Sequence, residues 1–160
     1  NRTVMRRIPI LLLSCLALLG ACDQADCTLD NSVSYTCNFY AEGSKVTLND
    51  IITVTACGTD SVLVNQKQGA TGIELPMSYW NEEDTLVLRI QGSGYTMEDT
   101  IWIKKNNIPH FESPDCPTKM FHLITDVNST HTFIDSLSLV NPNVNYADVE
   151  NIQIHFHAAD

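Results

Sequence analysis

Short segments in which apolar and polar residues alternate make up most of the chain after residue 32. In the segment 84–90, every second residue from Leu86 onward is aliphatic. This two-residue period is typical of a β-strand with one buried face. The segment 99–104 repeats the pattern, and the intervening Gly92–Gly94 predicts a hairpin turn.

The same criteria predict further strands, and no segment shows a sustained helical period. These strands are expected at 33–40, 51–57, 60–66, 72–75, 131–140 and 152–157. Many short strands at close spacing predict an all-β domain. We expect a single β-sandwich, immunoglobulin-like or related, with a barrel as the alternative.

The first residues follow a different pattern, that of a secretory signal. Arg6 and Arg7 precede an apolar run at 8–19. As a helix this run would rise about 18 Å, which is short of the roughly 30 Å of a bilayer core. A signal peptide therefore fits better than a permanent membrane span.

The apolar run ends at Leu19-Gly20-Ala21-Cys22, which has the spacing of a lipobox. An aliphatic residue and two small ones precede a cysteine whose thiol can accept a lipid. We therefore expect a signal peptide at 1–21, a lipidated tether at 22–31 and a β-sandwich domain at 32–160. The lipid on Cys22 would hold the mature protein in a membrane of the cell envelope, and we expect the outer membrane.

Removal of the signal peptide makes the chain more acidic. The remainder carries nineteen acidic residues and six basic ones, a net charge of −13. Such a surface repels phosphate backbones, so nucleic acid is not an expected partner.

Four cysteines follow Cys22, and an exported protein can keep disulfides. Cys37 and Cys57 each lie in an alternating segment, where neighbouring antiparallel strands would bring them within bridging distance. That pairing leaves Cys27 with Cys116. The alternative is that these cysteines are free and buried.

A triplet of Asp, then Ser or Thr, then an aliphatic residue occurs four times. Alternation places each hydroxyl on the face opposite the buried aliphatic residue. The triplet resembles the acceptor motif of general O-glycosylation systems that modify exported proteins of some gut anaerobes. The alternative is that Asp and the hydroxyl only begin a strand. The candidate acceptors are Ser61, Thr85, Thr100 and Ser136.

Two histidines, His155 and His157, share one face of a predicted strand. A His-x-His pair on a strand can bind a metal, and His131 or His122 would complete a zinc-like site. The alternative is a polar edge-strand face without a metal.

Trp102 is the best sequence candidate for a ligand-binding residue. It falls on the outward face of its strand with Thr100 and Lys104. An exposed aromatic platform for carbohydrate would combine it with Trp80, Tyr79 and Tyr95. The alternative is that it packs beneath a loop or a second sheet. Signatures of hydrolases, phosphate-binding loops and zinc proteases are missing from the sequence.

Several stretches resemble an uncharacterised family of exported lipoproteins from gut anaerobic Gram-negative bacteria. The resemblance implies an all-β exported lipoprotein with no assigned activity. It also implies that Cys27 and Cys116 occupy expected cysteine positions, whereas Cys37 and Cys57 depart from the pattern. The stretches are Gly58–Val62, Asn107–Phe111, Asp115-Cys116, Met120–His122, Asn141–Tyr146 and Glu150–Ile152.

Taken together, these features predict a non-enzymatic interaction or scaffold module of the cell envelope. The expected partners are the membrane, through the lipid anchor, and an outer-membrane barrel or another envelope protein. No catalytic residue and no cofactor are expected. A carbohydrate-binding surface lipoprotein is the first alternative, and a metal-binding envelope protein is the second.

Overall fold

The computed structural model describes Cys27 and residues 33–157, and these residues form strands, turns and bends. Within them no helix is long and apolar enough to cross a membrane. The strands are β1 (Ser34–Ala41), β2 (Ser44–Lys45), β3 (Ile51–Ala56), β4 (Ser61–Lys67), β5 (Gly72–Pro76), β6 (Glu83–Gly92), β7 (Tyr95–His110), β8 (Lys119–Ser129), β9 (Ile134–Leu139), β10 (Asn143–Val144) and β11 (Glu150–Phe156).

These strands form two sheets packed as a β-sandwich, which confirms the predicted fold class. Sheet I has five strands in the order β2-β1-β11-β9, with β5 also paired to β1. Its central pair, β1 and β11, is parallel, and its other pairs are antiparallel. Sheet II has six strands in the order β10-β8-β7-β6-β3-β4.

The alternation read from the sequence corresponds to the buried faces of these sheets. Leu86, Leu88 and Ile90 of β6 are all buried, and Phe39 and Ile154 face them from sheet I. Full burial of each such side chain is worth about 1.5–3 kcal/mol. The predicted hairpin is also confirmed, since Gly92 pairs with Tyr95 around a turn in which Gly94 has a φ of +86°.

Three strands were not predicted, namely the two-residue strands β2 and β10 and the longer β8. In β8 the inward residues include a histidine, His122, between Met120 and Ile124, while the outward Phe121 and Leu123 are apolar. The apolar and polar positions therefore do not alternate cleanly. This strand pairs with a β7 that is longer than predicted, and the pair extends beyond the first residue of β6, Glu83, which lies opposite Lys104. We call residues 105–124 the arm.

The two ends of the sandwich carry different features. At one end, β1 begins and the arm projects, with the turn at 57–60 and the loop at 77–82 beside it. We call this the entry end. At the opposite end lie the β6–β7 turn, the end of β11 and a groove of about 450 Å³ that is lined by Leu48, Met97, Phe133 and Phe156 among others.

Candidate functional site

A pocket lined by both polar and apolar groups lies at the entry end. It occupies about 460 Å³ between the turn 57–60 and the loop 77–82. That volume falls within the usual range for small-ligand pockets. Its walls combine apolar and polar side chains, among them Cys57, Ser61, Met77, Asp84 and Thr85.

A buried lysine fixes one wall of this pocket. By alternation from Ile103, Lys105 points inward, and its side chain is fully buried. Its Nζ donates hydrogen bonds to the carbonyl oxygens of Ser78, at 2.7 Å, and Asn81, at 2.5 Å. The loop 77–82 is thus attached at two points to the base of the arm.

The charge of Lys105 is compensated within the same cluster. Asp84 Oδ2 lies 3.7 Å from Lys105 Nζ, and the Asp84 carboxylate accepts hydrogen bonds from the backbone N–H, at 3.1 Å, and the hydroxyl of Ser78. Burial lowers the pKa of Lys105, and the nearby Asp84 opposes that effect. A buried charge with such partners is stable only while the whole cluster is intact.

The cluster continues along the arm to a histidine. Asn107 Oδ1 accepts from Lys105 Nζ at 2.9 Å and lies 2.8 Å from His122 Nδ1. The other ring nitrogen, Nε2, is buried and has no hydrogen-bond partner among the described residues. Burial, together with the positive charge of Lys105, lowers the pKa of His122 to about 4. His122 is therefore neutral near pH 7.

Two aromatic residues project from the attached loop. Trp80, between the anchored Ser78 and Asn81, is 84% exposed, and Tyr79 is 44% exposed. Trp80 is a candidate binding residue, because it is a large exposed aromatic residue on a fixed loop whose residues Ser78 and Asn81 line the pocket. We call Trp80 and the adjacent pocket the Trp80 site.

Alternation along the sequence had favoured Trp102 instead. Trp102 does lie on the outward face of β7, opposite Thr85 and Asn128, but it is half-buried there. Trp80 was expected only as a companion of Trp102 in an aromatic platform, because it lies in no alternating segment. Its position in a short polar loop between two strands was the available signal.

The four histidines proposed for a metal site do not come together. His155 Nε2 is 3.3 Å from the Ser138 hydroxyl, and His157 Nδ1 is 3.5 Å from an Asp135 oxygen. His131 Nδ1 lies 3.2 Å from the Ile134 carbonyl oxygen, while His122 belongs to the arm. Among the described residues, no group of three or more histidine, cysteine or acidic side chains is placed to hold a metal.

Of the two predicted disulfides, the structure contains one. Cys27 and Cys116 form a disulfide with Cα atoms 5.5 Å apart. The predicted bond between Cys37 and Cys57 is wrong, because β1 belongs to sheet I and β3 to sheet II. Cys37 is free and buried, and burial raises the pKa of its thiol. Cys57 is free and exposed in the wall of the pocket.

The candidate glycosylation residues differ in exposure. Ser61 is exposed, and Thr85, Thr100 and Ser136 are half-buried. In two of the four triplets the aspartate has a structural role, since Asp84 pairs with Lys105 and Asp99 is a buried hydrogen-bond acceptor. Glycosylation stays a prediction, and Cys22 lies outside the described residues.

A family model matches residues 51–156, which include β3 to β11, both walls of the pocket and the arm. The chain belongs to the family of unknown function DUF6452. This confirms the expected membership of an uncharacterised family. No curated protein and no solved structure matches the chain. The DUF6452 match begins after Cys27 and β1, so it includes only the Cys116 side of the disulfide.

Proposed function

We propose that this protein is a non-enzymatic interaction module of the cell envelope, anchored by lipid on Cys22, and that the Trp80 site binds its partner. The observation that carries the proposal is the 84% exposure of Trp80 on a loop that Lys105 fastens to the arm. Tryptophan is one of the residue types most enriched among interface hot spots.

The attached loop favours binding because its order is already established in the free protein. Binding by a mobile loop must offset the entropy lost when the loop becomes ordered. Here Lys105 Nζ holds the carbonyls on both sides of Trp80. The partner therefore meets a surface that is preorganised.

The buried charged side chains are engaged in structural hydrogen bonds and ion pairs, which supports a binding function rather than a catalytic one. A catalytic acid or base must have an open position toward its substrate. Asp99 accepts four hydrogen bonds from the segment 130–134, and Lys105 bonds to loop carbonyls. Asp84 lines the pocket, but it pairs with Lys105 and accepts two bonds from Ser78.

The expected partner is an envelope protein, including the exposed loops of an outer-membrane barrel. The test is crosslinking and co-purification of the full chain from detergent extracts of its native host. Trp80→Ala should lower recovery of the crosslinked partner at least about tenfold, because truncation of a hot-spot residue costs roughly 2 kcal/mol or more.

Trp102→Ala is the matched control, since it removes the same side chain from a different, half-buried position. We expect this variant to keep the partner. Equal recovery of the partner with wild type and Trp80→Ala would contradict the assignment of the binding site. Equal losses in both variants would point to impaired folding, which a thermal melt of each variant identifies.

Carbohydrate binding is a second candidate, and one observation favours it. The pocket beside Trp80 is lined by hydroxyl, amide and carboxylate groups from residues such as Ser78, Asn81 and Asp84. Sugars bind proteins through stacking on an aromatic ring combined with such polar groups. Binding on a glycan array that is lost in Trp80→Ala and kept in Trp102→Ala would support this function over a protein partner.

A further inference from the structure

Exposed large apolar side chains concentrate at one end of the molecule. Of the eight in the described part of the chain, Tyr95 lies at the opposite end, and its hydroxyl donates to Asp50. The other seven lie at the entry end or on the arm: Val62, Tyr79, Trp80, Ile108, Phe111, Val140 and Val149.

The disulfide places the lipid attachment point close to the tip of the arm. It joins Cys27 to Cys116, in the connection between β7 and β8. Cys22 precedes Cys27 by five residues, which span at most about 18 Å when fully extended. The tip of the arm therefore cannot lie far from the membrane that holds the lipid.

Phe111, the most exposed apolar residue of the tip, follows a cluster of packed aromatic rings. His110, next to Phe111, stacks on Phe121 with ring centroids 4.2 Å apart, and Tyr146 meets Phe121 edge-on at 5.0 Å. The Tyr146 hydroxyl donates to Glu112 at 2.7 Å. Phe111 itself is 72% exposed.

We infer that the tip of the arm, through Phe111 and the nearby Ile108, rests in the interfacial layer of the membrane that carries the Cys22 lipid. The inference depends on lipidation of Cys22, which is part of the proposed function. Aromatic side chains favour the boundary between headgroups and acyl chains. Because the lipid already keeps the tip near the surface, a weak contact is sufficient.

This orientation leaves the Trp80 site accessible. The loop 77–82 contacts the base of the arm, where Asn81 accepts a hydrogen bond from Asn107. Phe111 follows Asn107 by four residues, or about 13 Å of extended strand. The pocket is thus set back from the surface that the tip touches.

Tryptophan quenching by lipid-borne quenchers tests the contact. The full lipidated chain is placed in protein-free phosphatidylcholine vesicles whose lipids carry quenchers near the headgroup. Phe111→Trp and, as a matched control at the opposite end, Tyr95→Trp are each made in a Trp80→Phe, Trp102→Phe background. We expect about a twofold loss of emission for Phe111→Trp, as for a ring at the headgroup boundary, and no loss for Tyr95→Trp.

Vesicle flotation of the same samples separates the two proposals. A chain that floats but whose Phe111→Trp emission is not quenched would overturn the membrane contact and leave the lipid anchor intact. A chain that does not float would overturn the anchor and the contact together. Equal quenching at both positions would also contradict the inference, because it would show no preferred orientation.

Lipid charge provides a further readout of the same contact. Glu112 and Asp115 flank the tip, and the whole chain is acidic. Anionic lipid should therefore repel the tip. Quenching of Phe111→Trp should be weaker in vesicles rich in anionic lipid, and stronger quenching there would contradict the proposed contact.

Discussion

Lys105 is the residue on which the Trp80 site depends most. Its replacement by methionine keeps the apolar stem but leaves Asp84 without a countercharge and two loop carbonyls without a donor. We expect Lys105→Met to lower the free energy of unfolding by about 3 kcal/mol. Urea denaturation measures the change.

The neighbouring Lys104 is the matched control for this substitution. It is exposed, and its ion pair with Asp126, at 3.8 Å, is exposed as well. Lys104→Met should change stability by less than about 0.5 kcal/mol. Similar effects of the two substitutions would refute a special role for Lys105.

His122 makes stability depend on pH. The unfolded chain binds a proton at this residue near the ordinary pKa of 6.5, whereas the folded chain does so only near 4. Between these values the unfolded state holds more protons, so acidification favours unfolding. Stability should fall by roughly 3 kcal/mol from pH 6.5 to pH 4.

His122→Phe should remove most of this slope, and denaturant midpoints across the pH range give the measurement. The slope is the informative quantity, since the substitution also removes a hydrogen bond to Asn107. Asp99 and Glu150 have lowered pKa values, so their contributions to stability are lost only as the pH falls toward and below their ordinary values of 3.8 and 4.5. The slope between about pH 6.5 and about pH 5 therefore reports His122. An unchanged slope would show that another group is responsible.

The free thiols should differ sharply in reactivity. Cys57 is exposed beside the pocket, and Cys37 is buried with a raised pKa. A maleimide should therefore label Cys57 alone in the folded chain and both residues after unfolding. Labelling counted by mass, with Cys57→Ser as the control, decides this, and a Cys37–Cys57 disulfide would contradict the structure.

At the residue scale, alternation in the sequence correctly predicts which side chains of a regular strand face the core. The inward position of Lys105 follows from Ile103, yet lysine is so seldom buried that the pattern did not suggest it. The exposure of Trp80 depends on contacts between the loop 77–82 and the arm, which are distant in sequence. No local pattern contains that information.

At the level of elements, the connection from β8 to β9 donates four hydrogen bonds to one carboxylate, that of Asp99. The chain there crosses from sheet II to sheet I, and Asp99 accepts hydrogen bonds from Thr130 Oγ1 and from the backbone N–H groups of Thr132, Phe133 and Ile134. Burial would raise the pKa of Asp99, but these hydrogen bonds outweigh it and lower the pKa.

Asp99→Asn should therefore destabilise the domain by about 2–3 kcal/mol. An amide group replaces one accepting oxygen and turns two donors toward donors of the backbone. Glu98→Gln, at the exposed neighbouring position, should have a much smaller effect. Hydrogen exchange at Phe133 and Ile134 measures the local opening directly, and unchanged protection there would contradict the role of Asp99.

Strand positions were largely predictable because the core face of each strand is apolar and the other face is polar. Among the longer strands the exception is β8, which is apolar on part of both faces and has His122 inside. Strand pairing was less predictable. Cys37 lies on β1 and Cys57 directly follows β3, and these strands look alike in sequence, so that only the topology separates them into different sheets.

At the level of the whole molecule, the disulfide and the exposed apolar residues distinguish the two ends. The entry end carries the arm, the Trp80 site and the Cys27 attachment, whereas the opposite end carries the apolar groove beside Phe133. A module anchored in a membrane needs such a difference between its ends if one end is to face the membrane. The sequence predicts the anchor, but it does not predict the difference between the two ends, because that difference arises from the length of the arm.

The intact mass of the chain purified from native host membranes tests the central claim most directly. We expect a chain that begins at Cys22, is heavier by its lipid and is lighter by the two hydrogens of the Cys27–Cys116 disulfide. After unfolding it should take up alkylating reagent at two thiols. Additional sugar would be expected first at the exposed Ser61. A mass without lipid would contradict the anchor, and with it the proposed place of this protein in the cell envelope.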